Sequence, residues 1–460
     1  MKSNYSEQEK QSWTEIGTAL NSENVDDPIT LRDYSWITED GKIDEVSFCK
    51  SFVASNPIKC VNGIFYGMDG VVEIENLRAE IYQLICEALT NGVAKKVDNL
   101  IEALKLETHT KELPLELDRI HVVNGVYYLN GNFEGEKQFC RNRLNVNYNP
   151  EAPKPEMWLK YLNDLVEEED IPTIQEYLGY MLIPSNKGQK LMMILGRGGE
   201  GKSRMGLIIK KIFSEALNFS SIEKVEHNKF ARADLENKLV MIDDDMKMEA
   251  LKDTNYIKTI VTLEDEMDLE RKQKQSVQGK LFVRFLLFGN GSLSALHDKS
   301  YGFYRRQLII TTKKPLEDRV DDPYLVEKIV TEKEGIFLWM LEGLQRLLEN
   351  NYKFTISDRT KGNLLEAMQS SNNVIPFLES EGYIRFEKGT SATSKAIYNV
   401  YCKWCEENAE KPMSSKTVLG YLKQNSEELG IEPSTNVPID GGKKARGFKG
   451  IFIKIRADGI

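Results

Sequence analysis

Short apolar runs recur between residues 190 and 345: Leu191–Leu195, Leu239–Ile242, Phe282–Phe288 and Leu308–Thr312. They lack polar alternation and are too short for helices, which suits strands buried on both faces. Segments with helical spacing lie between them, such as Met205, Ile208, Ile209 and Ile212. Strands alternating with helices predict an α/β fold with a parallel sheet. Ahead of this block, Trp158, Leu159, Leu162 and Leu165, then Ile174, Tyr177, Leu178 and Met181, predict a helical pair. Residues 120–130 form two short strands around the Asn124-Gly125 turn, and Pro150, Pro153 and Pro155 mark a linker. Residues 1–110 are mixed and polar, with Ile64–Tyr66 a strand and 74–106 helical. The polar stretch 355–373 suits a linker or a polar helix.

Beyond residue 374 the pattern reads helix, helix, basic hairpin. Ser414 is placed to cap the second helix, and glycines flank a basic run at 441–450. That order predicts a winged helix. Four regions follow: 1–115 of unassigned role, a hairpin and helical region at 116–185, an α/β core at 186–350, and the winged helix at 374–460.

The chemistry concentrates in the α/β block. Gly196-Arg-Gly198-Gly199-Glu200-Gly201-Lys202-Ser203 fits G-x-x-x-x-G-K-[ST], between an apolar strand and a helix. Glycines let the backbone wrap a phosphate, and the helix N-terminus adds a positive dipole end. Lys202 is expected to neutralise β- and γ-phosphate charge, and Ser203 to ligate Mg²⁺. ATP and Mg²⁺ are therefore the expected cofactors. The apolar run 239–242 ends in Asp243, Asp244 and Asp245. Asp243 is expected on Mg²⁺ and Asp244 on the attacking water, with Asp245 the alternate. Asn290 closes another strand, where a polar side chain can sense the γ-phosphate. Arg305 and Arg306 are candidates for a finger supplied to a neighbouring subunit's γ-phosphate.

Composition changes this picture little. Apolar residues make up 41% and charged residues 29%, an ordinary globular balance. No apolar run is long enough for a membrane span, and Met1–Glu9 lacks the apolar stretch of a signal peptide. Six scattered cysteines fit a reducing cytoplasm. The net charge of −10 argues against coating nucleic acid with the whole surface. Its distribution matters more, because residues 443–456 hold six basic and no acidic side chains. Lys443, Lys444, Arg446 and Lys449 are DNA-contact candidates there. A second basic tip, Arg271, Lys272 and Lys274, lies on an expected hairpin at 267–277.

The motif series GRGGEGKS, LVMIDDDM, LLFGN and YGFYRRQLII resembles superfamily 3 helicases. More closely it is similar to phage and plasmid primase–helicase ATPases of the poxvirus type. Within these it looks most like the replication helicase–initiators of staphylococcal pathogenicity islands and resistance cassettes. NGVYYLNG, PEMWLKYLNDLVEEEDIPTIQEYLGYMLI and YNVYCKWCEEN extend the resemblance over roughly 120–460. It implies an AAA+ fold, a homo-hexameric ring with ATP sites between subunits, and Arg305 or Arg306 acting in trans. It also implies that the 267–277 hairpin enters the ring channel and grips a DNA strand through Lys272 and Lys274. Three consecutive aspartates depart from the family's usual glutamate or mixed pair. The resulting expectation is a DNA helicase that loads itself at the origin of a mobile element. It would bind single- and double-stranded DNA and replication or regulatory proteins. The alternatives are a packaging motor, a DNA-linked switch, or an origin-binding protein without unwinding activity.

Overall fold

The computed structural model describes residues 35–113, 115–247, 254–262, 266–272, 275–291, 301–315, 321–371 and 373–454. The chain forms two compact units. Among the described residues, one unit holds 35–113 with Phe139–Arg141, and the other holds 115–138 with those from 142 onward.

In the first unit, helices Glu45–Ser55, Ile74–Ile85 and Val93–Glu107 accompany a three-stranded antiparallel meander, Ile58–Val61, Ile64–Gly67 and Gly70–Val72. Phe48, Phe52, Phe65, Ile81, Leu100 and Leu104 share its core. The segment expected to be helical over 74–106 is thus two helices. The break spans 86–92 and closes at Gly92, which takes φ +68°, a conformation that comes at little cost only for glycine.

The second unit is built on a five-stranded sheet, all parallel: β1 (Leu191–Gly196), β2 (Leu217–Phe219), β3 (Val240–Met246), β4 (Arg284–Asn290) and β5 (Gln307–Thr311), in the order β5-β1-β4-β3-β2. The expected parallel sheet is present, and the apolar runs are explained by burial on both faces. Met192, Ile194, Val240, Ile242, Leu286, Phe288, Leu308 and Ile310 enter one core. Their alternates Leu191, Met193, Leu195, Met241, Leu287 and Ile309 enter another. Each fully buried aliphatic side chain is worth about 1.5–3 kcal/mol against exposure.

On the first face pack α1 (Ile171–Tyr180), α2 (Lys202–Phe213) and α3 (Lys333–Glu349), through Ile174, Tyr177, Met205, Ile208, Phe337 and Met340 among others. Ile222, Val225, Ile257 and Ile260 cover the second face from shorter helices. Helices α1 and α3 touch backbone to backbone. A Cβ added at Gly179 would lie 2.4 Å from Met340 O, and one at Gly343 would lie 2.3 Å from Gln175 O. Arg346 Nε donates to the buried Glu176 at 2.6 Å, and Thr355 donates to the same carboxylate from N and Oγ1.

The polar stretch after the core contains a helix, Asp358–Ser371. A short helix, Val374–Glu379, opens the C-terminal part. There follow β6 (Ile384–Thr393), α4 (Ser394–Glu407), α5 (Ser415–Gln424), β7 (Glu432–Pro438) and β8 (Lys444–Ile453). The three strands form an antiparallel sheet in the order β6-β8-β7. Ser414 caps α5 by accepting Thr417 N–H at 3.2 Å. Strand β6 escapes the sequence reading because most of its side chains are exposed, so it carries no apolar alternation. No disulfide joins the six cysteines. Among the described residues, no helix is long and apolar enough to cross a membrane.

The Gly179–Gly343 crossing gives a direct stability test. Gly343→Ala should lower the unfolding free energy by about 1–3 kcal/mol in urea titration, because the new methyl group has no room. An unchanged midpoint would mean that the two helices have slack.

Candidate functional site

The glycine-rich loop joins the C-terminal end of β1 to the first turn of α2. Gly198, Gly199 and Gly201 take φ +105°, +85° and +97°, a left-handed path that other residues resist. Gly196 has an ordinary φ but no space, since a Cβ there would lie 2.5 Å from Thr312 Oγ1 and 2.7 Å from Lys202 Nζ. Lys202 is buried, and its ammonium donates to Glu200 Oε2 at 2.7 Å and Asn290 Oδ1 at 3.1 Å. Gly291 N–H also bonds Gly196 O at 3.0 Å. The ends of β1, β4 and β5 therefore meet around one lysine. Tyr161 fixes the loop from outside by donating its hydroxyl to Gly201 O at 2.9 Å.

Glu200 is as buried as Lys202. Burial pushes its carboxyl up, but hydrogen bonds from Lys202 and the loop backbone, with the lysine's charge, hold it below the usual range. The ionised form thus stabilises the loop above the unfolded carboxyl value. That contribution is lost as pH falls through the lowered folded value. Ser203 is exposed at the start of α2.

The three aspartates have different surroundings. Asp243 lies on the Met241 face of β3, where its carboxylate accepts Ile222 N–H at 2.8 Å and Asp245 N–H at 3.3 Å. Burial raises its pKa, those hydrogen bonds oppose the rise, and the neighbouring aspartates add to it. Its carboxylate is thus already engaged by backbone amides. Asp244 and Asp245 follow at an irregularity in the β3–β4 register and are exposed. Among the described residues, no three His, Cys, Asp or Glu side chains converge as a metal cluster.

Arg305 and Arg306 stand at the opposite end of the sheet. Gln307 pairs with Leu191 in the parallel register, and Leu191 N–H bonds Arg306 O at 2.8 Å. The six residues of β1 put this end roughly 17–20 Å from the glycine loop of the same chain, too far for an arginine side chain. A recess of about 290 Å³ lies there, lined by Lys187, Gly188, Gln189, Lys190, Arg305 and Arg306. Burial, then the charges of Arg305 and Arg306, push Lys190 down to about 8.

The fold resembles the C-terminal region of NrS-1. An apo structure of that region matches with a TM-score of 0.54 at 14% identity, covering 89% of this chain and 100% of that one. The A form apo structure of the same region gives 0.54 at 12% identity, covering 88% and 99%. At such identities the likeness is one of fold. A family of unknown function, DUF5906, matches residues 194–306, from the end of β1 to Arg306. No curated protein sequence matches the chain.

The basic residues expected on DNA differ in how they are held. The hairpin Met267–Leu269 and Val277–Gly279 is present and antiparallel. Arg271 does not stand free on it but forms an ion pair with Glu236. Lys272 is exposed, 6.0 Å from the centroid of the Phe230 ring. Lys274 lies outside the described residues. On the C-terminal sheet, Lys443, Lys444 and Arg446 are exposed, while Lys449 pairs with Glu432 at 3.2 Å.

Sequence reasoning missed Thr312, Tyr161, Lys187 and Lys190. Only the strand order and the packing of distant segments bring them to these two places, so no local motif marks them. Lys190 offers a measurement. Its amine is about half neutral at pH 8, so an amine-selective reagent should label it ahead of ordinary lysines. Arg305→Ala, by removing a repelling charge, should slow that labelling. Labelling of Lys190 at the average lysine rate would contradict the depressed pKa.

Proposed function

We propose that this chain is an ATP-dependent DNA helicase that works as a ring of identical subunits in replication. One observation carries the reading: a glycine-wrapped loop at the end of a parallel sheet directs a buried lysine toward an asparagine on the adjacent strand. Those residues fit a polyphosphate. The loop is a cradle that a Cβ at Gly196 would fill, and α2 begins at Lys202 with its positive end toward the same point. Lys202 would hold the β- and γ-phosphates, and Asn290 would orient the terminal phosphate and the attacking water. Ser203 with Asp244 or Asp245 would hold Mg²⁺, which supplies charge neutralisation when bound. Asp243, bonded to two backbone amides, would brace the strand end.

The separation of Arg305 and Arg306 from the loop of their own chain supports action on a neighbouring copy. Lys187 and Lys190 would add to the same positive face. The C-terminal order of helix, strand, two helices and hairpin, with the first strand beside the last, suits a winged helix. Lys443, Lys444 and Arg446 would then meet DNA phosphates. Lys272 at the 267–279 hairpin supports a strand-gripping role, which favours a helicase over a packaging motor or switch.

Strand displacement on forked DNA with ATP and Mg²⁺ tests the reading. Wild type should unwind, and Lys202→Ala should lose both hydrolysis and unwinding. DNA-stimulated hydrolysis without unwinding on any fork would favour the motor or switch. A mixing experiment tests subunit sharing. Lys202→Ala chains and chains carrying both Arg305→Ala and Arg306→Ala should each hydrolyse ATP roughly 10³-fold more slowly. Mixed together, they should regain activity at seams joining an intact loop to an intact arginine pair. No recovery on mixing would sink the trans assignment.

A further inference from the structure

The Glu200 carboxylate occupies the position where the charge of a bound anion is needed. It accepts Arg197 N–H at 2.5 Å, Gly198 N–H at 3.0 Å and a hydrogen bond from Lys202 Nζ at 2.7 Å. These donors belong to the phosphate loop and its lysine. The carboxylate also lies inside the cradle, because a Cβ at Gly196 would come within 2.8 Å of Glu200 Cδ. Glu200 is 6% exposed, so water does little to screen it. A phosphate and a carboxylate competing for one ammonium in such a place repel each other strongly.

We propose that Glu200 is an internal competitor for the phosphates of the nucleotide, and that its carboxylate leaves the cradle before a polyphosphate enters. The proposal rests on the nucleotide reading above and adds a step that governs it. In the empty loop the carboxylate satisfies the lysine and two amides, so the loop stays ordered without ligand. Gly199 and Gly201, both at positive φ, flank Glu200 and give the backbone freedom to turn the side chain outward. The apparent affinity for any anion is then reduced by the fraction of chains in which Glu200 is already out. Because one opening step precedes every ligand, the reduction is the same factor for each.

Titration calorimetry on the full chain with Mg²⁺ tests this, using inorganic tripolyphosphate and ATP in parallel. The chains compared are wild type, Glu200→Gln and Glu200→Ala, with thermal unfolding to verify that each is folded. Both variants should bind both ligands more tightly, by about tenfold and by the same factor for each ligand. Hydrogen exchange at Arg197 and Gly198 should be faster than wild type in the empty variants and equal to it once tripolyphosphate is bound. Unchanged or weaker binding by the variants, with wild type binding normally, overturns the competitor role alone. A gain confined to ATP also overturns it, because it would place Glu200 against the nucleoside. Failure of every folded chain to bind either ligand overturns the nucleotide reading and this proposal with it.

Discussion

One ammonium group organises the C-terminal edge of the central sheet. Lys202 begins α2, is buried, and must find partners for a charge that water barely reaches. It finds one in its own loop, Glu200, and one across the sheet, Asn290. The loop after β1 is thereby tied to the end of β4, and the Gly291–Gly196 backbone bond repeats the tie. This arrangement allows no side chain at Gly196, where Thr312 closes in from β5. The parallel direction of the strands brings three strand ends to one place, and the lysine gives them a common partner.

The same parallel direction separates charges along the sheet. Glu200, Asp243, Asp244 and Asp245 gather at the end where the strands finish. Lys187, Lys190, Arg305 and Arg306 gather where β1 and β5 begin. Burial, and then the charges of Arg305 and Arg306, lower the pKa of Lys190 within this second group. A single copy cannot bring the two groups together, because the sheet itself holds them apart.

The legible parts of this molecule were local. The glycine loop could be read because a turn through left-handed backbone positions needs glycines at fixed places, as at Gly198, Gly199 and Gly201. The strands of the core could be read because burial on both faces leaves unbroken apolar runs. Strand order could not be read, so Thr312 beside Gly196 and Lys190 beside Arg305 were invisible. Asp243 was legible only in part, for a related reason. Its position in an acidic run suggests a metal ligand, whereas the helix beginning at Ile222, 21 residues earlier, supplies the amide that engages it. Arg271 looked like a free basic tip until the fold brought Glu236 against it. Strand β6 went unseen because a mostly exposed strand leaves no apolar signature.

The contact between α1 and α3 has a mechanical consequence. At Gly179 and Gly343 the helices meet main chain to main chain, so at those two points the backbone itself sets their spacing. A joint of that kind transmits force as a weld does. Sliding or separating the two helices would break the fit at both glycines at once.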